Sequence, residues 1–175
     1  EARAALGRLV DRLALAGVEV REYVLPPAFD EAHELHERIY RRSLAYYFKM
    51  EWESRPDLFS ACLRNMIEAG KRITPETYNA DLQRQNLLAR LFDSEMSKFD
   101  VLIGLSTADE APIGLNTPDI DDHCLIWTMC GVPAINLPLL VGRHGLPIGL
   151  QTIARRYNDY LLLRFARRLV EVAGA

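Results

Sequence analysis

Gly131-Val132-Pro133-Ala134-Ile135-Asn136-Leu137-Pro138, followed by Gly145-Leu146-Pro147-Ile148-Gly149-Leu150-Gln151, is the stretch that decides how the rest of this chain is read. Two short apolar runs are separated by a glycine-containing loop. Each opens on Gly-x-Pro, and the second closes on Gly-x-Gln. Proline fixes φ and biases its preceding residue toward extended geometry. The glycine before it lets the backbone turn sharply. The pair therefore reads as two buried strands, with Gly131, Pro133, Gly149 and Gln151 in structural positions. Gln151 is expected to tie adjacent backbone.

Working outward, Val101-Leu102-Ile103-Gly104-Leu105 is a fully apolar run bounded by Asp100 and Ser106, as a buried strand would be. Residues 106–120 are rich in Thr, Asp, Pro and Gly and read as a long surface loop, a feature that is often functional. A helix over 121–130 should lead into the two strands. After them, Asn158 is placed to cap a last helix with the stripe Leu162, Phe165, Ala166, Leu169 and Ala173.

Upstream, Leu6, Leu9, Val10, Leu13 and Ala16 follow helical spacing, with Gly17 where a C-terminal cap belongs. Val18, Val20 and Tyr23 then alternate with charged residues, which predicts a half-buried strand ended by Pro26-Pro27. Residues 30–49 read as a second helix. A third, over 56–69, starts on Pro56 and stops at Gly70. Thr74-Pro75 opens a long fourth helix: a hydroxyl N-cap, then proline at the first helical position.

At 175 residues the chain suits a single domain spanning 1–175, large enough for a real core. Hydrophobic and charged contents of 49% and 26% are ordinary for a globular protein, so a disordered or fibrous class is excluded. A net charge of −3 gives no electrostatic case for nucleic acid. The arginine pairs 41–42, 155–156 and 167–168 read as solvated helix faces. No apolar run reaches the length of a membrane span. The three cysteines are odd in number and contain no Cys-x-x-Cys, which points to reduced thiols and a cytoplasmic location. The first residue is Glu1, inside a helix-like pattern and without a signal peptide, so an excised or truncated segment is expected.

The ordered motifs resemble the C-terminal portion of the amidase signature family, serine hydrolases that cleave amide C–N bonds. Ala69-Gly70-Lys71-Arg72-Ile73-Thr74 with Tyr78 is similar to the family's small-Gly-x-x-Ile/Leu-Thr segment and long helix. Phe99-Asp100-Val101-Leu102-Ile103 resembles the strand that follows. Thr107 and Ala111-Pro112 resemble a loop that usually carries Pro-Thr and then Ala-Pro; here Ser106 replaces that proline. Trp127-Thr128-Met129-Cys130-Gly131-Val132-Pro133-Ala134 is similar to the hydrophobic helix and Gly-x-Pro-Ala turn, without the asparagine that often precedes the glycine. Gly145 to Gln151 is the closest match, and Leu161-Leu162 with Ala166 fits the closing helix.

The resemblance implies an α/β fold: a mixed β-sheet flanked by helices, corresponding to the C-terminal half of the family's domain. It also implies a chemistry. Amide hydrolysis needs an activated nucleophile, a base that becomes an acid for the leaving amine, and an oxyanion site. The family uses a serine nucleophile, a second serine in a cis peptide, and a lysine, with no metal or organic cofactor. All three precede the region represented here. This chain has no Ser-Ser pair and no Gly-Gly-Ser run, and its only lysines are Lys49, Lys71 and Lys98. Alone, it is expected to hydrolyse nothing.

The C-terminal half still contributes walls to a substrate cleft, so Thr107, Asp121 and Trp127 are the candidate substrate contacts. Relatives specific for amino-bearing substrates place an acid near Asp121 or Asp122. The alternative is a helix N-cap or first-turn carboxylate. Trp127 reads as core more readily than as pocket wall. Substrates in a full-length enzyme would be a small amide, a ureido compound or, with an ammonia-accepting partner, glutamine. A rival reading is a free-standing degenerate amidase module used in binding or assembly. Surface normally covered by the other half would favour a homodimer.

Other constellations are weaker. His33-Glu34-Leu35-His36 is not His-Glu-x-x-His, and it reads as a solvated helix face. Ser106 with His123 and Asp121 lacks a Gly-x-Ser-x-Gly elbow around the serine.

Overall fold

The computed structural model describes residues 1–114 and 123–174. Its helices are α1 (Ala2–Leu15), α2 (Ala32–Tyr47), α3 (Lys49–Ser54), α4 (Ala61–Lys71), α5 (Pro75–Glu95), α6 (Leu125–Cys130) and α7 (Asp159–Gly174). Three strands, β1 (Leu102–Leu105), β2 (Ala134–Val141) and β3 (Pro147–Ile153), form one sheet in the order β1-β3-β2, antiparallel throughout. The α/β class expected from the sequence is the class observed. No described helix is long and apolar enough to cross a membrane.

The chain divides into two compact units, one of Glu1–Leu25 with Leu91–Ala175, the other Pro26–Arg90. In the first, α1 and α7 pack on each other and on the sheet. Their apolar stripes meet the sheet in one buried cluster: Ala5, Leu9 and Leu13 from α1, Leu169 from α7, and Ile148 and Leu150 from β3. The central strand β3 is almost wholly buried, as expected, but β2, also expected to be buried, is an edge whose residues are exposed or half-buried except Leu140, because one of its sides has no neighbouring strand among the described residues. Pro138 lies where the β2–β3 register shifts, between Leu137 and Leu140. Proline cannot donate to a ladder, so an edge strand with a bulge is where it fits.

α1 ends as its sequence predicts. Gly17 has φ +82°, and the amides of Gly17 and Val18 donate to the carbonyls of Ala14 and Leu13 at 3.0 Å. The strand expected at 18–23 does not form. Val18 to Leu25 joins no ladder among the described residues, because no partner strand lies alongside. Alternation marks a half-buried extended segment, but a strand also needs a neighbour to bond.

In the second unit, α2 packs on α4. The helix expected to run from Pro56 is instead a short 3-10 turn, Pro56–Leu58, before α4. Ser60 caps α4 by accepting the Leu63 amide at 3.3 Å. Gly70 does not stop the helix, which continues to Lys71. A Cβ at Gly70 would overlap the Arg41 carbonyl, so this glycine lets two backbones approach closely. Thr74 caps α5 as expected, with Oγ1 accepting the Thr77 amide at 3.2 Å. Arg38 holds Asp81 through two hydrogen bonds of 2.9 and 2.7 Å and also binds Glu34 at 2.9 Å. Glu34 is thereby committed to a helix-surface ion pair, and His36 stacks on Tyr40.

Candidate functional site: Ser106, His123 and Gln151 at the end of β1

β1 delivers the chain to Ser106, and β3 runs beside it in the opposite direction. Ser106 therefore meets Gly149: its amide donates to the Gly149 carbonyl at 2.9 Å. The Ser106 hydroxyl donates to Asn136 Oδ1 at 2.9 Å, over the face of Gly149. A Cβ on Gly149 would overlap both side chains. The glycine of Gly-x-Gln is thus a space-keeper for a serine–asparagine bridge across three strands.

Two residues on, Gln151 is 4% exposed. Its Nε2 donates to the Leu105 carbonyl at 2.9 Å and to the His123 carbonyl at 3.1 Å. The His123 amide donates to the Ser106 carbonyl at 2.8 Å, and His123 Nδ1 lies 3.1 Å from the Leu105 carbonyl. The chain leaves β1 at Leu105 and is bound back to the same point at His123, so the interval between them is closed at its base. A buried amide that satisfies two carbonyls is a strong restraint, since an orphaned carbonyl there would lose its solvation.

α6 follows and ends on Gly131 with φ +62°, the left-handed conformation that a helix terminus uses and a side chain disfavours. The Val132 amide then donates to the Trp127 carbonyl at 3.2 Å, and the Pro133 carbonyl accepts from Ala154 at 3.1 Å. Trp127 is half-buried and tilts against Phe92, ring centres 5.5 Å apart. Its indole Nε1 is buried with no partner among the described residues. Trp127 also lines a groove of about 880 Å³ with Leu13, Val20, Leu102, Ile103 and Phe165. Thr107 is not among the residues that line this groove. Its Oγ1 donates to the Asp109 carbonyl at 2.9 Å. Asp121 lies outside the described residues.

Several participants carry no local sequence signal. Asn136 and Ser106 are thirty positions apart. Glu110, in the polar run after β1, is buried and accepts amides from the β2–β3 turn. Arg156 pairs with Asp93, donating from its backbone amide at 3.2 Å and from Nε at 2.8 Å. Close by, burial pushes the Cys130 thiol up to about 12, so it stays protonated and unreactive. The Ser106 hydroxyl is committed to Asn136 rather than to a base, and among the described residues no cluster of three or more metal-ligating side chains occurs.

These features define an α/β protein whose antiparallel sheet holds Ser106 and His123 together at the end of one strand. The amidase family model matches residues 1–163. The chain belongs to the amidase family. It is 31% identical over 104 residues to a glutamyl-tRNA(Gln) amidotransferase subunit of Brevibacillus brevis, covering 55% of this chain and 21% of that protein. It is 27% identical over 133 residues to the putative amidase AmiD of Mycobacterium bovis, covering 70% and 28%. Among solved structures, an amidase superposes with a TM-score of 0.82 at 24% identity, covering 93% of this chain and 40% of that one. A 6-aminohexanoate cyclic dimer hydrolase complexed with substrate superposes with a TM-score of 0.79 at 22% identity, covering 99% and 41%. The chain spans less than half the length of these relatives.

Proposed function

We propose that this chain is the C-terminal portion of an amidase-type hydrolase that cleaves amide C–N bonds of small, non-peptide substrates once joined to the remainder of such an enzyme. Both units, residues 1–175, belong to that one domain in this reading. On its own the chain is catalytically silent. The observation that carries the reading is the coverage: nearly all of this chain matches only about two fifths of an amidase. The sequence also lacks a Ser-Ser pair and a Gly-Gly-Ser run. Two of its three lysines are engaged in ordinary contacts, Lys98 with Glu95 at 2.8 Å and Lys71 over the Trp52 ring.

In the assembled enzyme the segment that follows β1 and α6 contribute one wall of the substrate cleft. Thr107 and Asp121 contact the substrate's polar groups, Trp127 backs the apolar side, and the enzyme works in the cytoplasm without a metal or organic cofactor. The open groove supports a missing neighbour. It is flanked by Val18 to Leu25, which joins no ladder among the described residues, and by β1, which among them pairs on one edge with β3. A further supporting feature is the buried Trp127 Nε1, which a backbone carbonyl from that neighbour would satisfy. Without the neighbour, a second copy of the chain covers this surface and gives a homodimer.

The test is an assay of the purified chain against aliphatic and aryl amides, alongside a serine-directed phosphonate probe. Neither turnover nor labelling of any of the six serines is expected. The same chain mixed with a complementing N-terminal amidase portion should gain both. Turnover by the chain alone, or failure of every complementing portion, overturns the reading.

A further inference from the structure

We propose that Glu110 is a positioning residue, a latch that seats the segment carrying Thr107 in a carboxylate receptor built by the turn between β2 and β3. The role assigned to Thr107 rests on the function proposed above; the latch itself does not.

The turn has the construction of a receptor. The Gly142 amide donates to the Leu146 carbonyl at 2.9 Å, and the Gly145 amide donates to the Gly142 carbonyl at 3.1 Å. Gly145 adopts φ +81°, which curls the chain so that the amides between these bonds point to one side. Two of them meet Glu110: His144 N–H donates to Oε1 at 3.1 Å, and Leu146 N–H to Oε2 at 3.3 Å. The His144 ring also binds Oε1 through Nδ1. Arg143 Nε donates to His144 Nε2 at 3.3 Å, which makes Nε2 the acceptor and leaves Nδ1 to carry the proton toward Glu110. The receptor is completed by an absence: a Cβ on Gly142 would overlap the Glu110 carboxylate.

The ligand fits this site closely. The Glu110 side chain is 8% exposed although it belongs to a polar surface run. Burial alone would raise its pKa, but the donated amides and imidazole outweigh burial and hold the carboxyl below its ordinary value. Glu1, Asp109 and Arg143 are the other charged groups around the same hollow.

On the other side of the latch two hydrogen bonds tie Thr107 to Glu110. Thr107 Oγ1 donates to the Asp109 carbonyl at 2.9 Å, and Asp109 Oδ1 accepts the Glu110 amide at 2.9 Å. Thr107 is therefore held at one end by the Ser106–Gly149 bond and at the other by Glu110 in its receptor. A carboxylate that merely stabilised the turn would need no such link to Thr107.

Hydrogen exchange on the chain tests this. Glu110→Ala and Gly142→Ala empty the receptor from opposite sides. Each should accelerate exchange at the amides of His144, Leu146 and residue 110 by about tenfold or more. The β1–β3 ladder amides should stay within about twofold. Glu110→Gln, which keeps shape and one acceptor oxygen, should restore part of the protection. The double variant should exchange no faster than either single one. Unchanged exchange, or equal acceleration across the whole ladder, overturns the latch. In an amidase assembled with a complementing portion, Glu110→Ala should raise KM by about fivefold or more with kcat within about twofold. An unchanged KM overturns the positioning role. If no assembled enzyme is active, the proposed function fails, and exchange still decides the latch.

Discussion

Gln151 donates one side-chain amide to the carbonyl of His123 at 3.1 Å, twenty-eight positions away in the chain, and the same nitrogen reaches the Leu105 carbonyl at 2.9 Å. One buried side chain thus holds both ends of the interval that follows β1. Gln151→Leu keeps comparable bulk but leaves two carbonyls without that donor. It should lower stability by about 1–3 kcal/mol. Denaturant unfolding measures the loss, and exchange at the His123 amide should rise with it. An unchanged midpoint would show that the two carbonyls find other donors.

Two glycines of the strand pair answer to different physics, and substitution separates them. Gly131 has φ +62° with open space around its Cβ position, so the cost of Gly131→Val is backbone strain, about 1–3 kcal/mol. Gly149 lies against Ser106 and Asn136, so Gly149→Ala costs about 1–3 kcal/mol by overpacking. A Ser106→Gly background should relieve part of the second cost and none of the first. Thermal melts of the two glycine variants in both backgrounds, with the two parents as references, read both effects.

Tyr23 donates to Glu95 Oε2 at 2.9 Å. Burial first, then that hydrogen bond and the carboxylate charge, push the phenol up to about 12. The folded value lies above the unfolded one of about 10, so the folded protein binds this proton more tightly. The contribution is complete below about pH 10 and is lost as pH rises toward 12. Spectrophotometric titration should show one tyrosine ionising last, and Tyr23→Phe should remove that phase.

The groove beside β1 makes a prediction about association. Sedimentation equilibrium at micromolar concentration should give a dimer mass, and Leu102→Lys, at the groove wall, should weaken it. A clean monomer without dye-binding apolar surface would refute the homodimer and favour a self-sufficient module.

The sequence by itself determined the elements whose signals are local. The caps at Gly17, Thr74 and Gly131 are legible because a positive φ or a free first-turn amide demands particular residues. The two strands of the Gly-x-Pro pair are legible because their apolar runs are bounded by turn chemistry. The order of these motifs also carried the family. Tertiary structure decided whatever depends on a distant neighbour. The segment Val18 to Tyr23 alternates like a strand yet joins no ladder among the described residues, because alternation reports burial and pairing needs a partner. Gly70 reads as a stop but serves a close approach to Arg41, on a helix nearly thirty positions earlier. Ser106 needs Asn136, and Glu110 needs the Gly142–Leu146 turn, more than thirty positions on. A side chain's hydrogen-bond partners are set by which strands lie side by side, and composition and periodicity within one segment carry no record of that.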